Sequence, residues 1–151
     1  MDVQTVVANV LTFNTNTFVR PALQGFSDAD LLKRPSEACN PIGWLFWHQP
    51  RVEDLILSHI SGRPQTWVAY TWHAQFGRPA DPRDSGFGHS LEQVMALQPA
   101  LAALQGYAAR LSRSTQQRYE VDCLFSDGSC WIPGSWISGW RTIRLLPFSL
   151  P

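Results

Sequence analysis

His48 and its neighbours are the residues whose types and spacing could do chemistry. They belong to the stretch NPIGWLFWHQPRVED, which runs from residue 40 to residue 54. An imidazole is both a common metal ligand and a proton carrier near neutral pH. Arg51 follows His48 by about one helical turn, where its guanidinium could hold an anionic substrate group. Trp44 and Trp47 could line a pocket beside these polar groups.

Each of these residues also has a structural interpretation. His48 could be a half-buried core histidine with one satisfied ring nitrogen, and its type alone favours that reading. A salt bridge from Arg51 to Glu53, Asp54 or another helix is the more common use of such an arginine. Tryptophans on a helix usually belong to a core.

The remaining histidines and the cysteines form no motif. His59 lies roughly 16 Å from His48 along a helix, so the two cannot share one ion. His73 and His89 fall in a loop region and could fold back, although His89 simply precedes a helix cap. The odd number of cysteines and the lack of a Cys-x-x-Cys pair indicate thiols in a reducing cytoplasm. The three cysteines are Cys39, Cys123 and Cys130. Cys123 and Cys130 could pair or bind metal, but buried inert thiols are favoured.

A long helix should carry His48. Asn40 is a good N-cap residue, Pro41 suits the first helical position, and Gly62 ends a helix that runs to about Ser61. Pro50 inside it predicts a kink or an opened turn beside His48.

One face of this helix should meet the core. Helical spacing places five residues on one largely apolar stripe, namely Trp44, His48, Val52, Leu55 and His59. Glu53 and Asp54 fall outside that stripe, so we expect both to be solvated.

The other elements follow from periodicity and caps. Residues 3–23 predict one helix that Pro21 ends or kinks, and Ser27 caps a short turn. The Gly- and Pro-rich residues 63–89 predict a long ordered connection that packs its aromatic side chains on the bundle. Ser90 opens a short helix with a capping box. A longer helix should start at Pro99, end near Ser114, and face its neighbours through Leu97, Leu101, Leu104, Ala108 and Leu111.

Composition excludes several classes of protein. The chain has 151 residues, 44% of them hydrophobic and 16% charged, which suits one globular domain. A net charge of zero argues against a nucleic-acid partner. No apolar run reaches the roughly 20 residues that span a bilayer, so we expect no membrane contact. The N-terminal residues lack the positive start of a signal peptide, which favours a cytoplasmic location.

The stretch from Asn40 to Asp54 resembles the second helix of the DinB-like superfamily. That superfamily includes the bacillithiol and mycothiol S-transferases and the mycothiol-dependent maleylpyruvate isomerases. The resemblance extends from about Val3 to Tyr119. The segment from Trp67 to Phe87, with WHAQFGRP and DSGFG, is similar to an actinobacterial branch of the superfamily.

The resemblance implies an all-α fold, an up-down four-helix bundle with a long ordered connection after helix 2. It also implies a divalent metal, zinc or nickel, with His48 as its first ligand and the other ligands on the last helix. Mycothiol or a related low-molecular-weight thiol would be the co-substrate. The implied partners are a small-molecule substrate, bound near Trp44 and Arg51, and a second copy of the chain in a homodimer.

The C-terminal sequence departs from the superfamily's pattern. No histidine follows His89 and no carboxylate follows Asp127, so the last helix lacks the expected ligands. We therefore expect a single domain over 1–151 with an atypical segment 128–151 and a short or distorted fourth helix. The abrupt loss of acids and histidines motivates the hypothesis of a frameshifted or degraded C-terminus. If no other reading frame of the gene restores a helix with these ligands, that hypothesis fails.

Three functional hypotheses follow. The first is a metal-dependent thiol transferase or isomerase whose metal site is incomplete, unless Cys123 or Cys130 supplies a ligand. The second is a non-catalytic bundle that binds a small apolar ligand or a partner protein. The third is a damaged gene product of marginal stability.

Overall fold

The computed structural model describes residues 3–126, with side chains for residues 3–115. These residues form helices and connections, with no strand among them, so the predicted all-α class is confirmed. The helices are α1 (Val3–Asn14), α2 (Arg20–Leu23), α3 (Asp28–Leu31), α4 (Ile42–Ser61), α5 (Thr66–Ala69), α6 (Trp72–Gln75), α7 (Leu91–Ala96) and α8 (Leu101–Ser126). The long helices α1, α4 and α8 pack against one another. No helix in this part of the chain is both long enough and apolar enough to cross a membrane.

The first helical segment is continuous but not uniform. A π-helical turn, Thr15–Val19, joins α1 to α2, so the predicted helix over residues 3–23 forms with a change of pitch inside it. Poor helix formers occupy its start, and Pro21, which has no N–H to donate, lies two residues after its end. Because π-helical turns are rare and concentrate at functional sites, the residues that pack against Thr15–Val19 are candidates for a functional role.

The predicted caps are confirmed at two short helices. At α3 the hydroxyl of Ser27 accepts the amide of Asp30, whose carboxylate accepts the amide of Ser27. At α7 Ser90 and Gln93 form the same reciprocal pair. Each pair satisfies amides that have no partner inside the helix.

The helix α4 forms close to its predicted bounds, but its buried face differs from the predicted one. Its N-cap is Pro41 rather than Asn40, and α4 continues as an α-helix through Pro50, without the opened turn predicted as one possibility there. Glu53 and Asp54 are 1% and 0% exposed, so the prediction that both are solvated is wrong. Hydrophobic periodicity could not find this face because the buried polar groups are compensated by partners elsewhere in the sequence.

The helix α8 is longer than predicted. It continues to Ser126 rather than ending near Ser114, since residues 107–126 contain no glycine or proline to stop it. Its predicted core residues Leu104, Ala108 and Leu111 are buried. The predicted fourth helix and the atypical segment 128–151 lie outside the described residues, and the up-down topology stays a prediction.

Aromatic side chains of the connection after α4 build one end of the core. Trp67 is fully buried, and its ring lies 5.6 Å from that of Tyr107 and 6.1 Å from that of Trp47. Phe76 packs on the same ring at 5.5 Å. These contacts clamp the connection onto α4 and α8, next to the turn that carries His48.

Candidate functional site around His48

The imidazole of His48 is oriented by two contacts. Its Nδ1 hydrogen-bonds to the backbone carbonyl of Ser85. A carbonyl oxygen can only accept, so Nδ1 donates, and in the neutral imidazole Nε2 then keeps its lone pair. The ring stacks on Trp44, with 4.6 Å between centroids and 16° between planes. A histidine held in this tautomer by a backbone carbonyl is the usual arrangement of a histidine metal ligand.

Gly86 allows the connection to approach His48 so closely. Its φ of +93° is unfavourable for L-residues with a side chain. A Cβ at this position would lie 2.8 Å from Trp44, 2.9 Å from Trp47 and 3.0 Å from Nδ1 of His48. Any larger residue would therefore push the Ser85 carbonyl away from the imidazole.

Arg51 is fully buried, and its guanidinium forms four hydrogen bonds and one ion pair. The acceptors are the Asp84 carbonyl at 2.9 Å, the Tyr107 hydroxyl at 3.2 Å, Gln65 Oε1 at 3.0 Å, the Pro82 carbonyl at 3.1 Å and Asp54 Oδ2 at 3.5 Å. This set ties the connection to α4 and α8. A buried guanidinium is tolerated only with such complete pairing.

Asp54 completes the network around Arg51. It accepts the backbone amides of Thr66 at 2.9 Å and Trp67 at 2.7 Å, and the hydroxyl of Tyr107 at 2.9 Å. The carboxylate thereby holds the first turn of α5, where backbone amides lack partners. Burial raises the pKa of Tyr107 well above its ordinary value, so its hydroxyl stays protonated and can donate to Asp54.

Glu53 points to the other side of α4 and has a different environment. Its Oε2 accepts the hydroxyl of Thr15, the first residue of the π-helical turn, and Nε2 of Gln49 at 3.3 Å. Its Oε1 is buried and accepts no hydrogen bond from the described residues. Burial raises the pKa of Glu53 to about 7, against the lowering effect of the hydrogen bonds from Thr15 and Gln49.

A shallow pocket of about 280 Å³ brings these groups together between α1 and α4. Its lining residues are Leu11, His48, Gln49, Val52 and Glu53. The residues that line it thus include an oriented imidazole and two aliphatic side chains, while the free oxygen of Glu53 lies beneath the surface of the pocket. Small sites of this composition fix one polar group of a ligand and cover its apolar part.

His89 folds back onto α4 rather than only preceding the Ser90 cap. Its ring stacks on Trp47 at 5.8 Å, and its Nε2 lies 3.1 Å from Oδ1 of Asp84. Arg78 pairs with both oxygens of Asp84 at 2.8 and 2.9 Å. This cluster stiffens the connection that supplies the Ser85 carbonyl to His48.

The predicted site residues divide into two groups in the structure. His48 and Trp44 lie together at the pocket end of α4, whereas Arg51 faces the core with its donors engaged. The predicted substrate contacts of Trp44 and Arg51 stay predictions. His59 is exposed, although it was predicted to lie on the stripe of α4 that faces the core.

Sequence reasoning missed Glu53, Gln49 and Thr15. One signal was available, since the unfavourable helix residues at positions 14–17 marked an irregular turn in α1. Its proximity to Glu53 is a tertiary contact across 38 positions of sequence and could not be read from spacing.

His48 fits the role of a metal ligand, but the described residues do not supply a complete set. Among them, no three His, Cys, Asp or Glu side chains are grouped as a metal site needs. Further ligands would have to come from the residues whose side chains are not described, which include Cys123 and Cys130. Cys39 is a free, partly buried thiol.

Comparison with known proteins identifies the family. A search of curated proteins found no match. The family model of the DinB superfamily matches residues 17–126, which is more than two thirds of the chain. The match includes α4 with His48 and Glu53, the aromatic connection and all of α8. The chain therefore belongs to the DinB superfamily.

Proposed function

We propose that this chain is a metal-dependent enzyme that binds a small molecule in the His48 pocket and acts on it with a low-molecular-weight thiol. The observation that supports this most directly is the hydrogen bond from Nδ1 of His48 to the Ser85 carbonyl. That bond leaves Nε2 as a lone-pair donor in a fixed direction, which a metal ligand needs and a core histidine does not.

A metal ion and a thiol would supply the chemistry of the proposed reaction. A bound zinc or nickel ion would lower the pKa of a coordinated thiol or water, so that a nucleophile exists near neutral pH. His48 would hold the ion from α4, with Cys123 or Cys130 as candidates for a further ligand. The thiol would be mycothiol or a relative, and the reaction a thiol transfer or an isomerisation.

Elemental mass spectrometry on protein purified without a histidine tag tests the metal. We expect close to one zinc or nickel per chain in the wild type, a loss in His48→Ala, and no change in His59→Ala. His59 is a matched control because it lies on the same helix but is exposed. Metal far below one per chain, after incubation with zinc and nickel salts, would contradict the proposal.

A second candidate function is a non-catalytic bundle that associates through α1. Four apolar side chains of α1 are exposed at heptad-like spacing, namely Val3 at 78%, Val6 at 45%, Val10 at 61% and Phe13 at 62%. This period is typical of a seam between two helices, so the occupant that fits best is the same helix of a second copy. Association of this kind would make the chain a homodimer whether or not it binds metal.

A further inference from the structure

The residue that precedes Ser85 is fixed through both its backbone and its side chain. The backbone carbonyl of Asp84 accepts Nε of the buried Arg51 at 2.9 Å. Its carboxylate, on a side chain that is 9% exposed, accepts Nε and Nη2 of Arg78 at 2.8 and 2.9 Å. The peptide directly before the carbonyl that meets His48 is therefore held from two directions.

His89 closes the other end of the same turn. Its Nε2 lies 3.1 Å from Oδ1 of Asp84, and because a carboxylate only accepts, this nitrogen is the donor. The backbone amide of His89 donates to the carbonyl of Gly86 at 3.2 Å, and its ring stacks on Trp47. The carboxylate of Asp84 thus joins both ends of the turn and fixes it against α4.

The side chain of Ser85 takes no part in holding His48. The imidazole is met by the backbone carbonyl, and the Ser85 hydroxyl forms no hydrogen bond with the side chains that the structure describes. Almost any residue type at position 85 could present the same carbonyl. What decides the contact is where the backbone lies, and Asp84 is the side chain that fixes it.

We propose that Asp84 is a positioning residue for His48. Its carboxylate, held by Arg78 and His89, places the Ser85 carbonyl and so selects the tautomer of His48 that keeps a lone pair on Nε2. A neutral imidazole has two tautomers, and the hydrogen bond made by one ring nitrogen determines which of them is present. Without a fixed acceptor at Nδ1, both tautomers would be populated.

This inference deepens the proposed function and rests on it in one respect, the use of the Nε2 lone pair for a metal. Loss of a partner that orients a ligating histidine typically costs about 10- to 100-fold in metal affinity. The tautomer itself is a property of the chain without metal. The two parts can therefore be tested separately on the same full-length protein.

The test replaces Asp84 by asparagine. Asparagine has one acceptor oxygen where aspartate has two, and its NH₂ group would face the N–H donors of Arg78 or His89. The first readout is the ¹⁵N NMR signal of each imidazole nitrogen in the metal-free chain near pH 8, above the usual histidine pKa of about 6.5. We expect His48 to be protonated at Nδ1 alone in the wild type and to show a mixture of tautomers in Asp84→Asn. Zinc affinity, measured by competition with a chelator, should fall by about 10- to 100-fold in the variant.

Three controls separate positioning from a general loss of structure. Asp81→Asn changes an acid of the same connection whose side chain is 43% exposed, and it should alter neither readout. Ser85→Ala keeps the backbone carbonyl, so the tautomer of His48 should stay as in the wild type. His59, exposed on the same helix, supplies an internal reference whose signals should not change in any variant.

Each outcome decides the inference. If His48 stays protonated at Nδ1 alone in Asp84→Asn, or if Asp81→Asn shifts its tautomer equally, the inference is wrong and other contacts of the turn place the Ser85 carbonyl. Should Asp84→Asn fail to fold, Arg78→Lys decides by the same spectrum, because lysine keeps the charge but loses the two-pronged contact; a mixture of tautomers supports the inference and a single one refutes it. A mixture in the variant, with no metal bound by the wild type, would support the inference and contradict the proposed function. Metal binding by the wild type with an unchanged tautomer in the variant would do the reverse.

Discussion

Replacing Glu53 by glutamine should change how the stability of the protein depends on pH. The carboxyl group is buried, and its pKa is raised from 4.5 to about 7 in the folded chain. Protonated Glu53 is therefore compatible with folding, while ionised Glu53 opposes it. Stability from this group is fully present below its unfolded pKa and is lost as the pH rises through about 7.

The size of this change in stability follows from the shift in the pKa of Glu53. Each pKa unit corresponds to about 1.4 kcal/mol, so the rise from 4.5 to about 7 corresponds to roughly 3 kcal/mol. Glutamine has the same shape and does not ionise. We therefore expect Glu53→Gln to resemble the wild type in acid and to exceed it in unfolding free energy by up to roughly 3 kcal/mol well above pH 7.

Urea unfolding of both chains at about pH 5 and about pH 8.5 measures this difference. The quantity compared is the difference in unfolding free energy between Glu53→Gln and the wild type, taken at each pH. Its change from one pH to the other isolates Glu53, because all other titrating groups are common to both chains. Glu37→Gln serves as a control, and its exposed side chain should give a difference that does not vary with pH. A flat difference for Glu53→Gln as well would refute the argument, since it would mean that Glu53 is ionised in the fold at no cost.

Three further outcomes are expected. Arg51→Met should destabilise the fold by about 3–5 kcal/mol in urea unfolding because it strands a buried acid, while Arg63→Met at an exposed site should stay within about 0.5 kcal/mol. Equal effects of the two would contradict the buried network. Gly86→Ala should lower the free energy of unfolding by about 1–3 kcal/mol more than Gly88→Ala, and it should shift the NMR signals of the His48 imidazole. Both glycines have a positive φ, but only at Gly86 would an added Cβ collide with neighbouring side chains. Val10→Asp should convert the proposed homodimer to a monomer in sedimentation velocity, and an unchanged dimer or a monomeric wild type would exclude α1 as a dimer interface.

The elements of the fold were largely predictable because their causes are local. Ser27 and Ser90 cap helices through partners three residues away, and Gly62 ends α4 with a φ of +65°. Interactions of this range are contained in a few consecutive residues, so a pattern in the sequence can identify them. The position of His48 on a long helix was predictable for the same reason.

The buried face of α4 was not predictable in this way. Its polar residues are compensated by the connection and by α8, through Tyr107, Gln65 and the carbonyls of residues 82 and 84. Hydrophobic periodicity treats Asp54 as a surface residue, because it cannot include acceptors and donors that arrive from distant positions. The same limit explains why Glu53 was expected in solvent.

The sequence by itself determined an all-α chain of the DinB superfamily, with His48 on its second long helix. Only the tertiary structure decided what His48 and Glu53 have around them. The Ser85 carbonyl reaches the imidazole from 37 positions away, and the Thr15 hydroxyl reaches the carboxyl from 38 positions away. Tautomer, burial and pKa depend on such non-local partners, so the chemistry of this pocket is a property of the packed chain.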